Sequence, residues 1–241
     1  MPKPFLSVII PAYNEEKRLP LTLIDIDKHL SRAEYSYEII VLNDGSVDST
    51  AEIVKRFGNI VKNLRLIDNQ ENRGEGAVVR QGMLSAKGNW RLFLGAHNSV
   101  SIDHFNKMTP YFSAGGGSAF GRKESYDVVI GSRGKRIIGG PGNLIIRKFI
   151  LKGPWDTRCG FQCFSEEAAN RIFRLTRINR SAFNIEALAL AKFLGFKIKE
   201  IPVKWAKHKR FRASFKNLFS TFFDVIKIWW WLKKGKYKID F

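Results

Sequence analysis

The sequence predicts an α/β fold: a Rossmann-like, doubly wound and mostly parallel sheet with helices on both faces, followed by a C-terminal amphipathic helix. Short apolar runs such as residues 39–42 are unbroken and rich in β-branched side chains, which is typical of strands buried on both faces. Through about residue 100 these runs alternate with segments of helical periodicity, and this alternation indicates a parallel sheet. After residue 206, aromatic side chains recur at helical spacing, which predicts the amphipathic helix.

In the first half of the chain, each apolar run is followed by a polar loop and then by a helical pattern. Pro11 ends the first run, and the apolar spacing from Leu19 to Leu30 predicts the first helix. A glycine-bearing loop at residues 72–76 precedes the third helix. The predicted strands are residues 5–10, 39–42, 64–67 and 90–94, and the predicted helices are residues 19–30, 51–57 and 77–86.

The second half is less regular. Glycine-rich segments at residues 113–121 and 135–143 predict flexible loops. Gly195 marks the end of a helix, and Pro202 bounds the last strand. The predicted strands are residues 128–130, 161–164 and 198–203, and the predicted helices are residues 143–151, 166–173 and 185–194.

The composition limits the class of protein. A chain of 241 residues can bury one sizeable core, and its net charge of +19 attracts nucleic acid, anionic lipid or phosphorylated substrates. Nucleic acid is the least favoured of these partners, because no helix-turn-helix, zinc-finger or stacking-aromatic pattern is found. Cys159 and Cys163 are too few for a disulfide scaffold and are expected to be buried. With no signal peptide and no apolar span, we expect a cytoplasmic location.

Asp44 occupies the position around which the chain is organised. It follows the apolar run at residues 39–42 and opens the turn that leads to the next helix. In open α/β sheets, ligands bind at the carboxyl ends of the strands, so Asp44 is a candidate ligand-binding residue. An aspartate in a turn also hydrogen-bonds its own backbone, and the two roles are compatible.

The C-terminal segment, residues 207–241, is predicted to be a basic amphipathic tail that follows a domain at residues 1–206. Its aromatic side chains, among them Phe219, Phe222, Trp229 and Trp230, are bracketed by lysines and arginines. Aromatic residues flanked by cations are typical of helices that lie on an anionic membrane surface. The alternative is that the aromatic face packs on the domain core.

Taken together, the motifs resemble those of the family 2 glycosyltransferases with the GT-A fold. Within that family the chain is most similar to polyprenyl-phosphate sugar transferases of the dolichyl-phosphate β-glucosyltransferase type. The motifs stand in the family's order and cover most of the chain. They are SVIIPAYNEEKRLPLTL (7–23), EIIVLNDGSVDST (38–50), NRGEGAVVRQGMLSAKG (72–88), VVIGSR (128–133), DTRCGFQCFSEEAANRIF (156–173) and FNIEALALAKFLGFKIKEIPVKW (183–205).

The resemblance implies a transferase that moves a hexose, expected to be glucose, from a nucleoside-diphosphate sugar to a polyprenyl or dolichyl phosphate. The donor is expected to be a UDP-sugar, and the reaction is expected at the cytosolic face of a membrane. The implied nucleotide-sugar-binding residues are Pro11, Tyr13, Glu15, Asp44, Arg80 and Ala96.

The implied catalytic residues are Arg133, suited to a lipid phosphate because arginine binds phosphate in a planar, two-pronged way, and Asp156. Asp156 would either orient the acceptor or balance the charge of Arg133. From the residues alone other roles remain open. Glu15 could be a carboxylate that stabilises a helix N-terminus. Arg80 could be a solvated surface cation, and Arg133 could belong to a surface ion pair.

The chain departs from the family where charge is expected. The family's Asp-x-Asp pair, which holds a divalent cation such as Mg²⁺ or Mn²⁺, is replaced by Gly95-Ala96-His97. His97 is a candidate metal ligand, since imidazole suits Mn²⁺ better than Mg²⁺; the alternative is a polar surface residue. Glu75 stands where a lysine is usual, and Asn43 and Asn184 replace aspartates. The second hypothesis is therefore a weakened or inactive relative that binds nucleotide, lipid phosphate or a partner enzyme.

Overall fold

The fold is seen in a computed structural model that describes residues 3–112, 124–134, 156–157, 159–206 and 215–237, with only the backbone of 215–219. The strands are β1 (Leu6–Ala12), β2 (Tyr37–Asp44), β3 (Leu64–Asn69), β4 (Trp90–Leu94), β5 (Val128–Ser132), β6 (Phe161–Ser165) and β7 (Ile198–Pro202). The α-helices are α1 (Leu19–Leu30), α2 (Thr50–Phe57), α3 (Glu75–Ser85), α4 (Glu166–Leu175), α5 (Phe183–Phe193) and α6 (Phe215–Lys233), and short 3₁₀ helices cover Ile102–Lys107 and Thr109–Tyr111.

The described strands form one seven-stranded sheet in the order β3-β2-β1-β4-β6-β5-β7. β6 runs antiparallel to β4 and β5, whereas the other neighbouring strands pair in parallel. The prediction of a mostly parallel sheet is confirmed. As a consequence, the carboxyl ends of β1, β2, β4, β5 and β7 and the amino end of β6 all lie at one edge of the sheet.

The core lies on both faces of the sheet, as predicted. On one face, Ile9 and Leu42 pack in a cluster with Val79 and Met83 of α3 and with residues of α4 and α5. On the other face, the alternate β1 and β2 residues pack with α1 and the first 3₁₀ helix. Because successive strand residues point to opposite faces, the unbroken apolar runs supply both clusters.

Helix α6 packs one of its faces on this core. Val225 and Ile228 are buried in the cluster that also holds α5, and Tyr237 beyond the helix end is buried with them. An α-helix has about 3.6 residues per turn, so Phe222, Phe223, Ile226 and Trp230 share a different face. These four side chains are 42–55% exposed.

The membrane-facing residues named from the sequence fare differently in the structure. Phe222 and Trp230 lie on the exposed face, whereas Trp229 is half-buried beneath the Lys233 ammonium, 4.5 Å from its ring centre. The side chain of Phe219 lies outside the described residues. Within the described part of the chain, no helix has the length and hydropathy needed to cross a membrane.

Several other expectations can be compared with the structure. Helix α1 occupies the predicted residues, and β2 extends two residues beyond the predicted strand at each end. Cys159 and Cys163 are free and buried, as expected. The expected loops at 113–121 and 135–143 and the expected helix at 143–151 lie outside the described residues.

Candidate active site

A cavity of about 230 Å³ opens at the sheet edge where β1, β2 and β4 end. Most of the loop residues predicted to hold a nucleotide line it, and the corner after β4 closes one side. The lining residues are Pro11, Ala12, Tyr13, Glu15, Asp44, Asn72, Gly74, Glu75, Gly95, Ala96 and His97.

Asp44 joins β2 to the glycine loop. Its carboxylate is 3% exposed and accepts hydrogen bonds from the backbone N–H groups of Arg73, at 2.7 Å, and Gly74, at 3.0 Å. Gly74 has φ of 90°, and a Cβ there would come within 2.4 Å of the Asn179 carbonyl oxygen. Glycine is therefore required at position 74, and Asp44 fixes the loop as well as lining the cavity.

The loop after β1 forms another part of the cavity wall. Both carboxylate oxygens of Glu15 accept from the Arg18 guanidinium, at 2.6 and 2.7 Å. Burial raises the pKa of Glu15, and Arg18 opposes that shift. Tyr13 is 47% exposed at the cavity mouth, where its ring is open to stack on a planar ligand.

Helix α1 holds the corner at Gly95-Ala96-His97 in place, and the His97 imidazole covers that corner. The Ala96 carbonyl accepts from the Thr22 hydroxyl at 2.6 Å. A Cβ on Gly95 would lie 2.7 Å from Cε1 of His97, so the imidazole occupies the space of a residue-95 side chain. His97 thus lies over the corner that the family pattern assigns to two carboxylates.

Glu75 begins α3 and adds an acidic group to the cavity wall. Burial of the carboxyl group and, second, the charge of Asp44 raise the pKa of Glu75 to about 7, although the residue as a whole is solvent-exposed. Near neutral pH this carboxyl therefore changes its charge beside the cavity.

Arg133 and Asp156 form the second half of the candidate site. The guanidinium Nε and Nη2 donate to the two oxygens of the Asp156 carboxylate, both at 2.6 Å. The same guanidinium stacks 4.8 Å from the ring centre of Trp205. The Trp205 ring centre lies 6.3 Å from that of His97, so Trp205 is close both to the ion pair and to a residue of the cavity wall.

Arg80 has structural partners outside the cavity wall. Its guanidinium donates to the Thr176 carbonyl at 2.7 Å and to the Asn179 side-chain oxygen at 2.6 Å. These contacts brace the segment that backs the glycine loop, since the Gly76 N–H donates to the Asn179 carbonyl at 2.8 Å. Its predicted role in diphosphate binding stays a prediction.

The residues that replace aspartates have different surroundings. Asn43 donates from its side chain to Asp68 of β3 at 2.7 Å, which ties the two strand ends together. Asn184, near the start of α5, is 8% exposed, and its side-chain oxygen is buried without a hydrogen-bond partner.

Sequence reasoning missed several residues of this region. Trp205 follows the last strand at the ligand-binding edge, and that position was the available signal. The Glu186 carboxylate, fully buried, accepts from the N–H groups of Arg177 and Ile178 and from the Tyr237 hydroxyl at 2.7 Å. No local pattern links Tyr237 to Glu186, because 51 residues separate them.

Comparison with known proteins gives consistent results. The family model described as Glycosyl transferase family 2 matches residues 7–173. The chain is 34% identical to the dolichyl-phosphate beta-glucosyltransferase of Dictyostelium discoideum over 84% of this chain and 67% of that protein. It is 29% identical to the human enzyme of the same name, over 96% and 72% of the two chains.

The fold also matches solved structures. One is glucosyl-3-phosphoglycerate synthase from Mycobacterium tuberculosis, in complex with Mn²⁺, uridine-diphosphate-glucose and phosphoglyceric acid. The TM-score is 0.69 at 19% identity, covering 95% of this chain and 79% of that one. At this identity, the likeness concerns the fold.

Proposed function

Because the chain belongs to glycosyl transferase family 2, we propose that it is a hexosyltransferase that moves glucose from UDP-glucose to a polyprenyl or dolichyl phosphate. The observation that carries the proposal is the shared location of two sites. The first site is the cavity that Asp44 lines, and the second is the Arg133–Asp156 pair. Both lie at one edge of the sheet, and Trp205 and His97 connect them.

The donor fits the cavity by its chemistry. Tyr13 offers an exposed ring for a base, and Glu15 and Asp44 line the wall where base or ribose groups would lie. The cavity also lies at the N-terminus of α3, where the helix dipole favours a phosphate group. The sugar would then extend past Ala96 and His97 toward Trp205.

The acceptor phosphate fits Arg133. An acceptor oxygen attacks the anomeric carbon, the bond from that carbon to the donor diphosphate breaks, and the nucleoside diphosphate leaves with the bonding electron pair. The acceptor is already an anion, so the chain needs no strong general base, and positioning supplies much of the rate. Asp156 holds the guanidinium over the Trp205 ring, ready to exchange one carboxylate contact for a phosphate oxygen.

A peripheral position at the cytosolic membrane face is part of the proposal. Phe222, Phe223, Ile226 and Trp230 present an apolar face. The exposed lysines 227, 233, 234 and 236 lie beside it. Such a face binds an anionic lipid surface, with each nearby cation contributing on the order of 1 kcal/mol. This location would bring a lipid-linked acceptor to the protein.

A divalent cation, Mg²⁺ or Mn²⁺, is the expected cofactor, but the cavity residues do not fit one well. The oxygens of Asp44 accept backbone N–H groups, and those of Glu15 pair with Arg18. Glu75 and His97 remain as candidate ligands, and among the described residues no group of three or more His, Cys, Asp or Glu side chains is placed to hold a metal. The transfer step described above is carried by residues of this chain alone.

The test is a transfer assay with purified full-length protein, radiolabelled UDP-glucose and polyprenyl phosphate in anionic vesicles. Lipid-linked glucose is the expected product, and Arg133→Ala should lower its rate at least tenfold while Arg171→Ala, which removes an exposed arginine, should not. UDP binding without any turnover would overturn the transferase proposal. That result would favour the second hypothesis, a non-catalytic relative, which the loss of carboxylates at positions 95 and 97 motivates.

A further inference from the structure

His97 lies where the donor diphosphate would need compensation for its charge. As the bond to the sugar breaks, the leaving diphosphate gains negative charge. A hydrogen-bond donor that points at that charge lowers the barrier. Among the described residues that line the cavity, none is lysine or arginine, and three are carboxylic acids: Glu15, Asp44 and Glu75. The imidazole of His97 is the side chain of that wall best suited to meet an anion.

The local geometry gives His97 this place. The missing side chain at Gly95 leaves room for the imidazole, which lies with Cε1 2.7 Å and Nδ1 3.0 Å from the position of a residue-95 Cβ. The Ala96 carbonyl is fixed to Thr22 of α1, so the corner carrying His97 is anchored to the scaffold. The ring centres of His97 and Trp205 are 6.3 Å apart, and the Arg133 guanidinium lies 4.8 Å from the Trp205 ring centre.

We infer that His97 hydrogen-bonds the donor diphosphate directly, and that transfer by this chain proceeds without a bound divalent cation. The inference rests on the proposed function, because it assumes a nucleoside-diphosphate donor in the cavity. An imidazole carries an N–H donor in both its neutral and its cationic form, so the contact exists in either protonation state. The His97 contact leaves the transfer reaction described above unchanged and requires no oxidant, reductant or additional reactant.

The first test compares transfer in EDTA, in Mn²⁺ and in Mg²⁺. Wild-type protein should give equal rates in the three solutions. His97→Ala should lower kcat about 100-fold, the effect of removing one such donor, with a smaller change in KM. His97→Gln keeps an N–H donor and should recover part of the rate. His29→Ala, which removes an imidazole that instead pairs with Asp103, is the matched control and should leave the rate unchanged.

A second variant tests the dependence of activity on Mn²⁺, which would not change if His97 had only a structural role. Gly95→Asp combined with His97→Asp creates two carboxylates at the corner, and the double replacement is needed because the imidazole fills the residue-95 space. This variant should be inactive in EDTA and gain activity with Mn²⁺. Circular dichroism confirms that each variant is folded.

The outcomes separate the inference from the proposed function. If wild-type protein makes lipid-linked glucose only with a divalent cation, or if His97→Ala matches wild type in EDTA, the inference is overturned while the transferase stands. If no arm makes product, the proposed function fails, and calorimetry of UDP in EDTA then decides about His97. Binding of UDP in EDTA that weakens at least tenfold in His97→Ala supports the contact, and binding that is unchanged or requires Mn²⁺ refutes it.

Discussion

The guanidinium of Arg133 and the carboxylate of Asp156 meet through two hydrogen bonds of 2.6 Å, and both side chains are largely buried. A planar pair of this kind fixes both groups in orientation. The Asp156 backbone N–H in turn donates to Glu200 of β7 at 3.3 Å. The pair thus ties the ends of β5 and β7 to the segment before β6 and fixes the orientation of the Arg133 guanidinium.

Replacing Asp156 by alanine should destabilise the protein as well as slow transfer. Arg133 would be left largely buried without its partner, which costs about 3 kcal/mol in the free energy of unfolding. Urea unfolding monitored by circular dichroism measures this change. Glu167→Ala, which breaks the exposed pair with Arg171, should change stability by less than about 0.5 kcal/mol. Equal effects of the two replacements would contradict this account.

Donor binding should weaken as pH rises through about 7, because Glu75, with its raised pKa of about 7, then becomes an anion beside the diphosphate. The affinity for UDP should fall by up to about tenfold per pH unit above that value, measured by calorimetry. Glu75→Gln should remove this part of the pH dependence. A profile that is identical in the variant would show that Glu75 does not control binding.

The same shift has a consequence for stability. Because the pKa of Glu75 is higher in the folded protein than its ordinary value of 4.5, the folded state binds this proton more tightly. The contribution of Glu75 to the free energy of unfolding should be fully present below pH 4.5. It should be lost as pH rises to about 7, and Glu75→Gln should flatten that window in urea titrations.

Tyr237→Phe should loosen the C-terminal segment. The variant removes the hydroxyl that donates to buried Glu186 at 2.7 Å, and losing a hydrogen bond to a charged group costs about 2 kcal/mol. Tyr126→Phe is the matched control, since the Tyr126 hydroxyl donates to exposed Glu124. Urea midpoints that shift equally in both variants would be inconsistent with a buried role for Tyr237.

Membrane binding should depend on the exposed face of α6. Replacing Phe223 and Trp230 by serine should reduce cosedimentation with anionic vesicles, because it removes apolar surface that would enter the lipid interface. Phe193→Ser, which removes an exposed aromatic ring on α5, serves as the control. Binding that survives the double replacement but disappears in high salt would assign the attraction to the lysines alone.

The fold was largely predictable because its signals are local. The apolar runs mark the strands, and α1 has Pro20 in its first turn and a continuous apolar face, so its bounds could be placed. The direction of β6 could not, since it depends on pairing with β4 and β5 across the sheet.

The site was predictable at the level of the backbone and less so at the level of side-chain partners. Asp44 is the last residue of β2 and Ala96 lies two residues after β4, and both line the cavity. Arg80 lies on the expected helix. Its guanidinium, however, contacts Thr176 and Asn179, which come 96 and 99 positions later in the chain. Such contacts depend on how α3, α4 and α5 pack, which periodicity does not encode.

The attachment of α6 also bears on how this protein can be produced. Val225, Ile228 and Tyr237 belong to the same hydrophobic cluster as α5. The segment after residue 206 therefore differs from the rest of the chain in its surface charge, but it packs on the same core. A shortened version ending at 206 would expose apolar side chains of α5 and leave Glu186 without its phenol partner. We expect that version to aggregate during expression, and the full-length chain handled in mild detergent to be the practical preparation.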